Sequence, residues 1–468
     1  MNTALSCKGG VLVEEYRGKR VLVVGLARSG TAAAEVLARH GAQVVATDAR
    51  SEIAFVPEVQ TLSDLGVELV LGEHPLSLLN GIDFIVVSPG VPDTIPLLAE
   101  ADRRHIPVIG ELELAGRLYR GPYVAITGSN GKTTTTSWVG RALREAGLPS
   151  VVAGNIGVPL SRAVADLAPG TWVVAEVSSF QLVRTERFHP RISAVLNLSE
   201  DHLDRHGSFA AYRAAKARVF ANQGPEDFLV LNADDGPTRS LADLAKSRVL
   251  FFSRRQPLSE GAWVEEGRLV LGWQGKREIL CRVEELGIPG VHNLENALAT
   301  ALLACAAGAE ITTITHVLKS FTGVEHRCEY VATIEGVRYV NDSKGTNPDA
   351  AIKALEAFPP PIVLIAGGRD KGTDLAGLVE VIKARCRAVV LLGEAVPKFR
   401  QALRAGGFTA VHEVESLNAA VRLARTLARP GDTVLLSPAC ASFDMFANYE
   451  ERGRAFKAAV AELGRESA

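Results

Sequence analysis

Thr127-Gly128-Ser129-Asn130-Gly131-Lys132-Thr133-Thr134 gathers two glycines, a lysine and a run of hydroxyls between an apolar stretch, Tyr123 to Ile126, and a helix-compatible stretch, Thr133 to Ala146. Glycines let a turn direct backbone N–H groups inward around a polyphosphate, and the helix that follows adds positive potential at its start. Lys132 is placed to reach β- and γ-phosphates, and the Thr133 hydroxyl to ligate Mg²⁺. The loop is shortened, because Ile126 stands where the full pattern has its first glycine. Strand, loop and helix still follow in the required order, which a chance lysine-bearing turn has no reason to do.

Other chemistry-bearing residues lie downstream. The apolar strand from Thr171 ends in Glu176, which suits a carboxylate holding Mg²⁺ beside the phosphate loop. Taken alone, Glu176 is an ordinary strand-end acid. Ile192 to Leu196 opens onto Asn197-Leu198-Ser199-Glu200-Asp201-His202-Leu203-Asp204-Arg205-His206, dense enough in acids and imidazoles for metal or phosphate, although spacing does not select the ligand. Tyr212 to Arg218 is helical by pattern, and Lys216 there reads as a solvated helix lysine. Asn293 and Asn296 share one face near the start of an Ala-rich helix that runs through Ala307. Reading an adenine edge and capping the helix are both open to them, and capping is the simpler use.

These residues need elements to position them. A chain of 468 residues exceeds one core and suggests about three domains. Arg20 to Gly25 is a buried-type strand, followed by Gly25-Leu26-Ala27-Arg28-Ser29-Gly30, a helix to His40, and a second strand, Gln43 to Thr47, ending in Asp48. That βαβ unit, with an acid about 20 residues on, resembles a nucleotide-diphosphate site, although Ala27 replaces the middle glycine. Phe84 to Ser88 is a strand stopped by Pro89-Gly90. Gly261 to Val283 reads as short strands in a surface hairpin region. Beyond Gly323, a probable strand pair, then Val337 to Val340, Ile362 to Ala366, Ala388 to Leu392 and Thr433 to Leu436, predict a second open α/β sheet. Each of these strands runs into a polar turn.

Net charge of −2 argues against general nucleic-acid or anionic-membrane binding. The six cysteines are scattered without metal-type spacing, which suits a reducing cytosol. Met1 to Gly18 has acids and no sustained apolar core, unlike a signal peptide. Ala297 to Ala309 falls short of the roughly 18 apolar residues of a membrane span.

The motifs occur together and in order: the phosphate loop, Glu176-Val177-Ser178-Ser179, Asn197 to His202, Gly290 to Asn296, Glu325-His326-Arg327 and Asn341-Asp342-Ser343-Lys344. The series resembles the Mur ligases of peptidoglycan synthesis over nearly the whole chain. The compact first domain and Leu435 to Asp444 point to the D-glutamate-adding branch, and the Asp-Asn-Pro-Arg signature of the diamino-acid-adding members is absent. The resemblance implies an α/β fold of three domains. Residues 1–112 would be a Rossmann-like nucleotide-sugar domain, 113–323 a P-loop ATPase-like domain, and 324–468 a Rossmann-like open sheet.

It also implies ATP, D-glutamate and UDP-N-acetylmuramoyl-L-alanine as substrates, two Mg²⁺ sites, and a cytoplasmic, monomeric enzyme. Gly128, Ser129, Asn130, Gly131, Lys132, Thr133 and Thr134 would hold ATP phosphates. Asn293, Asn296, His326, Arg327 and Asp342 would complete the ATP site, the last three closing over it. Thr133 and Glu176 would serve one metal and His202 the other, with Lys216 carried as a carbamate beside both. Asn155 would sit near the reacting carboxylate, and Ser343 and Lys344 at the acyl-phosphate end. Thr346, Lys371, Ser442, Phe443 and Tyr449 would form the D-glutamate pocket. Leu26, Ala27, Arg28, Ser29, Asp48, Ser88, Pro89 and Gly90 would bind the uridine nucleotide. A nicotinamide oxidoreductase or a P-loop switch protein leaves half of these motifs without a role. A sister ligase adding another amino acid is the serious alternative.

Overall fold

The computed structural model describes residues 15–51, 53, 56–288, 290–370 and 374–466. They fall into two compact units, Met1–Phe321 and Thr322–Ala468.

The first unit holds two sheets. Five parallel strands, β1 (Arg20–Val24), β2 (Gln43–Asp48), β3 (Glu68–Leu71), β4 (Phe84–Val87) and β5 (Val108–Gly110), are ordered β3-β2-β1-β4-β5. Val21 to Val24 are fully buried, as expected for a parallel strand covered on both faces. The order reverses between β1 and β4, so a crevice opens at their carboxyl ends, where Gly25-Leu26 and Ser88-Pro89 lie.

The second sheet has nine strands: β6 (Tyr123–Thr127), β7 (Ser150–Gly154), β8 (Trp172–Glu176), β9 (Ile192–Val195), β10 (Phe228–Asn232), β11 (Arg248–Ser253), β12 (Gly261–Glu265), β13 (Arg268–Trp273) and β14 (Lys276–Arg282). The order is β14-β13-β12-β11-β10-β9-β6-β8-β7, antiparallel only at β12-β13-β14. Here β6 sits between β8 and β9, so the ends of those two strands flank the phosphate loop. The helix after the loop, Lys132–Glu145, is anchored by Trp138, which is fully buried, donates from Nε1 to the Val317 carbonyl at 3.2 Å, and stacks on Phe321 at 4.8 Å. Burying such a ring contributes on the order of 2–3 kcal/mol.

The segment Gly261 to Val283 forms the short strands and hairpins expected. They lie less on the surface than expected: β12 joins β11 in parallel and β13 and β14 extend the sheet edge, with Leu269, Val270 and Leu271 buried. Glycines at the turns concealed the apolar face that docks.

The second unit is one six-stranded sheet: β15 (Glu329–Ile334), β16 (Val337–Asn341), β17 (Ile362–Gly367), β18 (Cys386–Leu392), β19 (Val411–Glu413) and β20 (Thr433–Leu436), ordered β15-β16-β20-β17-β18-β19. Only β15 runs antiparallel. The carboxyl ends of β16 and β20 lie side by side, which brings Asp342 to Ser437. Of the cysteines, Cys7 lies outside the described residues; Cys281, Cys305, Cys328, Cys386 and Cys440 are free thiols, and burial raises the thiol pKa of each. Among the described residues, no helix is long and apolar enough to cross a membrane.

Candidate active site

The phosphate loop is held in shape from the neighbouring strand end. Gly131 caps the following helix at φ +82°, and Gly128 also has positive φ, conformations a side chain resists. A Cβ on Gly131 would meet Asn296 Oδ1 at 2.2 Å. Asn197 clamps the turn: its carbonyl accepts from Ser129 N at 3.0 Å, its side-chain oxygen from Asn130 N at 2.8 Å, and its amide donates to Asn130 O at 3.2 Å. Ser129 Oγ lies 3.0 Å from the Tyr212 hydroxyl and accepts from Ser199 N at 3.0 Å. Lys132 folds back, its ammonium donating to the carbonyls of Gly128 and Ser129, each at 2.8 Å.

Asn296 is buried against the loop, where Thr135 Oγ1 donates to its Oδ1 at 3.3 Å, and Asn296 Nδ2 donates to Asn293 Oδ1 at 3.4 Å. The helix Val291–Ala306 has Gly290 at its N-cap, which makes no side-chain bond, and Asn296 is turned to the phosphate loop instead.

Two groups face each other across the loop. Glu176 is 2% exposed; Oε1 accepts from Asn155 Nδ2 at 2.8 Å, while Oε2 is buried without a partner. A buried carboxylate oxygen left unpaired is costly, and a cation relieves it. Lys216 is likewise 2% exposed, so the solvated-lysine reading fails. Its ammonium donates to Gly128 O at 2.9 Å and lies 4.7 Å from the centre of the Tyr212 ring. Burial first, and the Lys132 charge second, lower its pKa to about 7, so the neutral amine is populated near neutrality. The sequence carried a signal for this: Tyr212 and Lys216 are four residues apart, on one helix face.

A cavity of about 300 Å³ gathers Lys132, Asn155, His202 and Lys216 with Pro89 and Gly90 from the first sheet. Phe180 forms part of its wall, with the His206 ring stacked on it at 5.1 Å and the Arg205 guanidinium over it at 4.9 Å. His202 sits half-exposed at φ +54°, its Nε2 3.7 Å from Asp201. Among the described residues, no three His, Cys, Asp or Glu side chains converge on one point. A divalent ion beside Glu176 would therefore lean on few protein ligands, as Mg²⁺ bound through phosphates does.

At the first sheet, Leu26, Ala27, Arg28 and Ser29 form the turn into the helix Arg28–Arg39. Gly30 has no room for a side chain, since a Cβ would lie 1.8 Å from Gly25 O. Asp48 holds the turn by accepting from Leu26 N at 2.8 Å, and it pairs with Arg50 through Nε at 2.9 Å, Nη2 at 3.0 Å and the backbone N at 3.0 Å. Those bonds outweigh its burial and keep the carboxyl below its ordinary pKa. Ser88 Oγ donates to Gly25 O at 2.7 Å, and Arg28 donates to the Gly157 carbonyl.

In the second unit, Asp342 is buried, which pushes its pKa up to about 6 despite bonds from Ser437 Oγ at 2.7 Å and Cys328 N at 3.1 Å. His326 is 3% exposed, and burial lowers its pKa. The Asn341 amide donates to its Nδ1 at 3.0 Å, which leaves the proton on Nε2. Ser343 donates to the Tyr449 carbonyl at 2.8 Å. Arg452, which sequence reasoning missed, donates to Ser343 Oγ at 3.0 Å and to the carbonyls of Ser343, Cys440 and Ala441. Nothing in its helical context marks it as buried. Lys344 and Thr346 are half-buried and Ser442 is buried, whereas Phe443 is 62% exposed and stands apart from that packing. Arg327 follows His326 in the same turn. Lys371 lies outside the described residues.

Three family models match the chain: the Mur ligase MurD-like N-terminal domain over residues 19–110, the Mur ligase middle domain over 126–304, and the Mur ligase glutamate ligase domain over 326–440. A UDP-N-acetylmuramoylalanine–D-glutamate ligase of Pelotomaculum thermopropionicum is 50% identical over 97% of this chain and 99% of its own. A ligase of the same name from Caldanaerobacter subterraneus is 48% identical over 96% and 100%. Among solved structures, a UDP-N-acetylmuramate-alanine ligase of Thermotoga maritima shares the fold at TM-score 0.54 and 19% identity, covering 96% of this chain and all of its own. A MurF of Acinetobacter baumannii does so at TM-score 0.56 and 17% identity, covering 96% and 94%. With half its residues shared with such relatives along almost its entire length, the chain belongs to the Mur ligase family.

Proposed function

We propose that the chain is an ATP-dependent ligase that joins D-glutamate to UDP-N-acetylmuramoyl-L-alanine, a cytoplasmic step of peptidoglycan precursor synthesis, and that it acts as a monomer. The observation that carries this reading is the cavity in which Lys132, Lys216, Asn155 and His202 meet beside the unpaired Glu176 carboxylate oxygen. The curated relatives supply the amino acid. Residues 1–112 serve the uridine nucleotide, 113–323 ATP, and 324–468 D-glutamate.

The terminal carboxylate of the precursor attacks the γ-phosphorus of ATP, the bond to the bridging oxygen breaks, and ADP leaves. The D-glutamate amine then attacks the acyl carbon. The tetrahedral intermediate loses a proton from nitrogen and expels inorganic phosphate. Positioning and charge neutralisation supply most of the rate. Gly128 to Thr134 cradle the phosphates, with Lys132 exchanging loop carbonyls for phosphate oxygens. Asn293, Asn296, His326, Arg327 and Asp342 complete the ATP site.

Glu176 and Thr133 would hold one Mg²⁺ and His202 a second, and the bound metal neutralises phosphate charge. Neutral Lys216 adds through nitrogen to the carbon of CO₂ and loses a proton, converting the buried amine into a carbamate anion suited to that site. Asn155, Ser343 and Lys344 orient the acyl phosphate. Thr346, Lys371, Ser442, Phe443 and Tyr449 hold D-glutamate. Leu26 to Ser29, Asp48 and Ser88 to Gly90 shape the nucleotide site.

The test is ADP release with Mg²⁺, the L-alanyl precursor and a panel of amino acids including both glutamate enantiomers. Release that needs D-glutamate is expected. Release with another amino acid would transfer the reading to a sister ligase, and release independent of any amino acid would discard it.

A further inference from the structure

In a nucleotide-binding βαβ unit the acid ending the second strand ordinarily accepts a ribose hydroxyl. Asp48 occupies that place, yet its two oxygens already accept four N–H groups, from Leu26 N, Arg50 N, Arg50 Nε and Arg50 Nη2. A carboxylate offers about four lone-pair positions, so no acceptor remains for a ligand. Another group at the carboxyl edge of this sheet has one to give.

That group is His74, in the loop after β3. The loop is strapped to the end of β2, since Gly72 N donates to Asp48 O at 2.9 Å. Thr47 Oγ1, fully buried, lies 3.0 Å from both the Glu73 carbonyl and His74 Nδ1. A hydroxyl has a single proton, and the Glu73 carbonyl can only accept it. His74 Nδ1 must then be the donor to Thr47 Oγ1; the reverse assignment would leave two acceptors facing each other at 3.0 Å around a fully buried hydroxyl. The proton therefore sits on Nδ1, and Nε2 is a bare acceptor. Burial holds the imidazole below its ordinary pKa, against the pull of the Asp48 charge, and so favours the neutral form.

We infer that His74 Nε2 accepts a hydrogen bond from the uridine half of the nucleotide precursor, a ribose hydroxyl or the uracil N3–H, with Thr47 fixing its tautomer. The inference rests on the proposed function, which supplies the uridine nucleotide.

The experiment is equilibrium binding of UDP and of its 2′-deoxy, 3′-deoxy and N3-methyl analogues to the full chain and to His74→Ala, with no catalysis required. The wild type is expected to bind one analogue about tenfold more weakly than UDP, the cost of one lost hydrogen bond. His74→Ala should lose about the same factor for UDP and no longer distinguish that analogue. Unchanged UDP affinity in His74→Ala, equal discrimination by both proteins, or no discrimination by the wild type overturns the role of His74 alone. Failure of the wild type to bind UDP at all overturns the proposed function itself. Should His74→Ala misfold, ¹⁵N spectra of the wild type decide: an Nδ1–H imidazole whose Nε2 resonance moves with UDP is expected, and an Nε2–H imidazole refutes the inference.

Discussion

Two glycine turns in the first unit follow the same strand–turn–helix plan and put it to different uses. At Gly25 to Gly30 the neighbouring acid turns inward: Asp48 takes the Leu26 N–H and the Arg50 fork, and Gly30 lets the helix press against the strand. At Gly128 to Gly131 the neighbouring acid, Glu176, keeps an unpaired oxygen, and two lysines converge on one carbonyl of the loop. The first turn is electrostatically satisfied. The second leaves one buried carboxylate oxygen unpaired and crowds two lysines onto a single loop carbonyl. Such unrelieved charge is where phosphoryl chemistry is expected.

The comparison can be broken at either turn. Its largest expected effect is from Lys132→Ala: ADP release should fall about 10²–10³-fold, as when a charge-stabilising donor is removed, while UDP affinity is retained. Steady-state kinetics beside UDP titration would check this, and a parallel loss of UDP binding would erase the distinction between the turns. Gly30→Ala should act oppositely, costing about 1–3 kcal/mol of stability by overpacking, because its Cβ has only 1.8 Å to Gly25 O. Denaturant unfolding is the measurement.

A third test concerns the buried lysine. The Lys216 pKa is lowered to about 7 in the folded chain, against about 10.4 unfolded, so between these values the unfolded state binds more protons. In carbonate-free buffer the penalty is full below pH 7, and the wild type should gain stability relative to Lys216→Met as pH rises from about 7 toward 10.4. Equal pH profiles for the two proteins would refute it. The smallest effect belongs to Asp48→Asn, which loses the Arg50 ion pair but keeps the turn's shape. Its KM for the uridine precursor should rise only a few-fold, consistent with a partly exposed pair worth about 1 kcal/mol or less, with kcat unchanged.

Much of this plan was legible in the chain itself. Val21 to Val24 and Tyr123 to Ile126 are continuous apolar runs that only a parallel sheet buries, and the glycines and Lys132 after the second announce a phosphate turn. Short strands escaped notice, such as Glu68–Leu71 and Val411–Glu413, because three or four residues carry no periodicity. Arg452 escaped as well, and so did the clamping role of Asn197. Their roles consist of hydrogen bonds to backbone far away in sequence, and no local pattern records a distant partner.

The sequence by itself determined the order of strands, turns and helices and the residue types at each turn, because side-chain periodicity and glycine's conformational freedom act over a few residues. Only the tertiary structure decided which of those residues are buried and what they face. It enclosed Lys216 beside Lys132, left Glu176 Oε2 unpaired, and filled Asp48 with N–H donors. Charge state and hydrogen-bond capacity depend on desolvation and on neighbours brought in by the fold, and those are properties of packing.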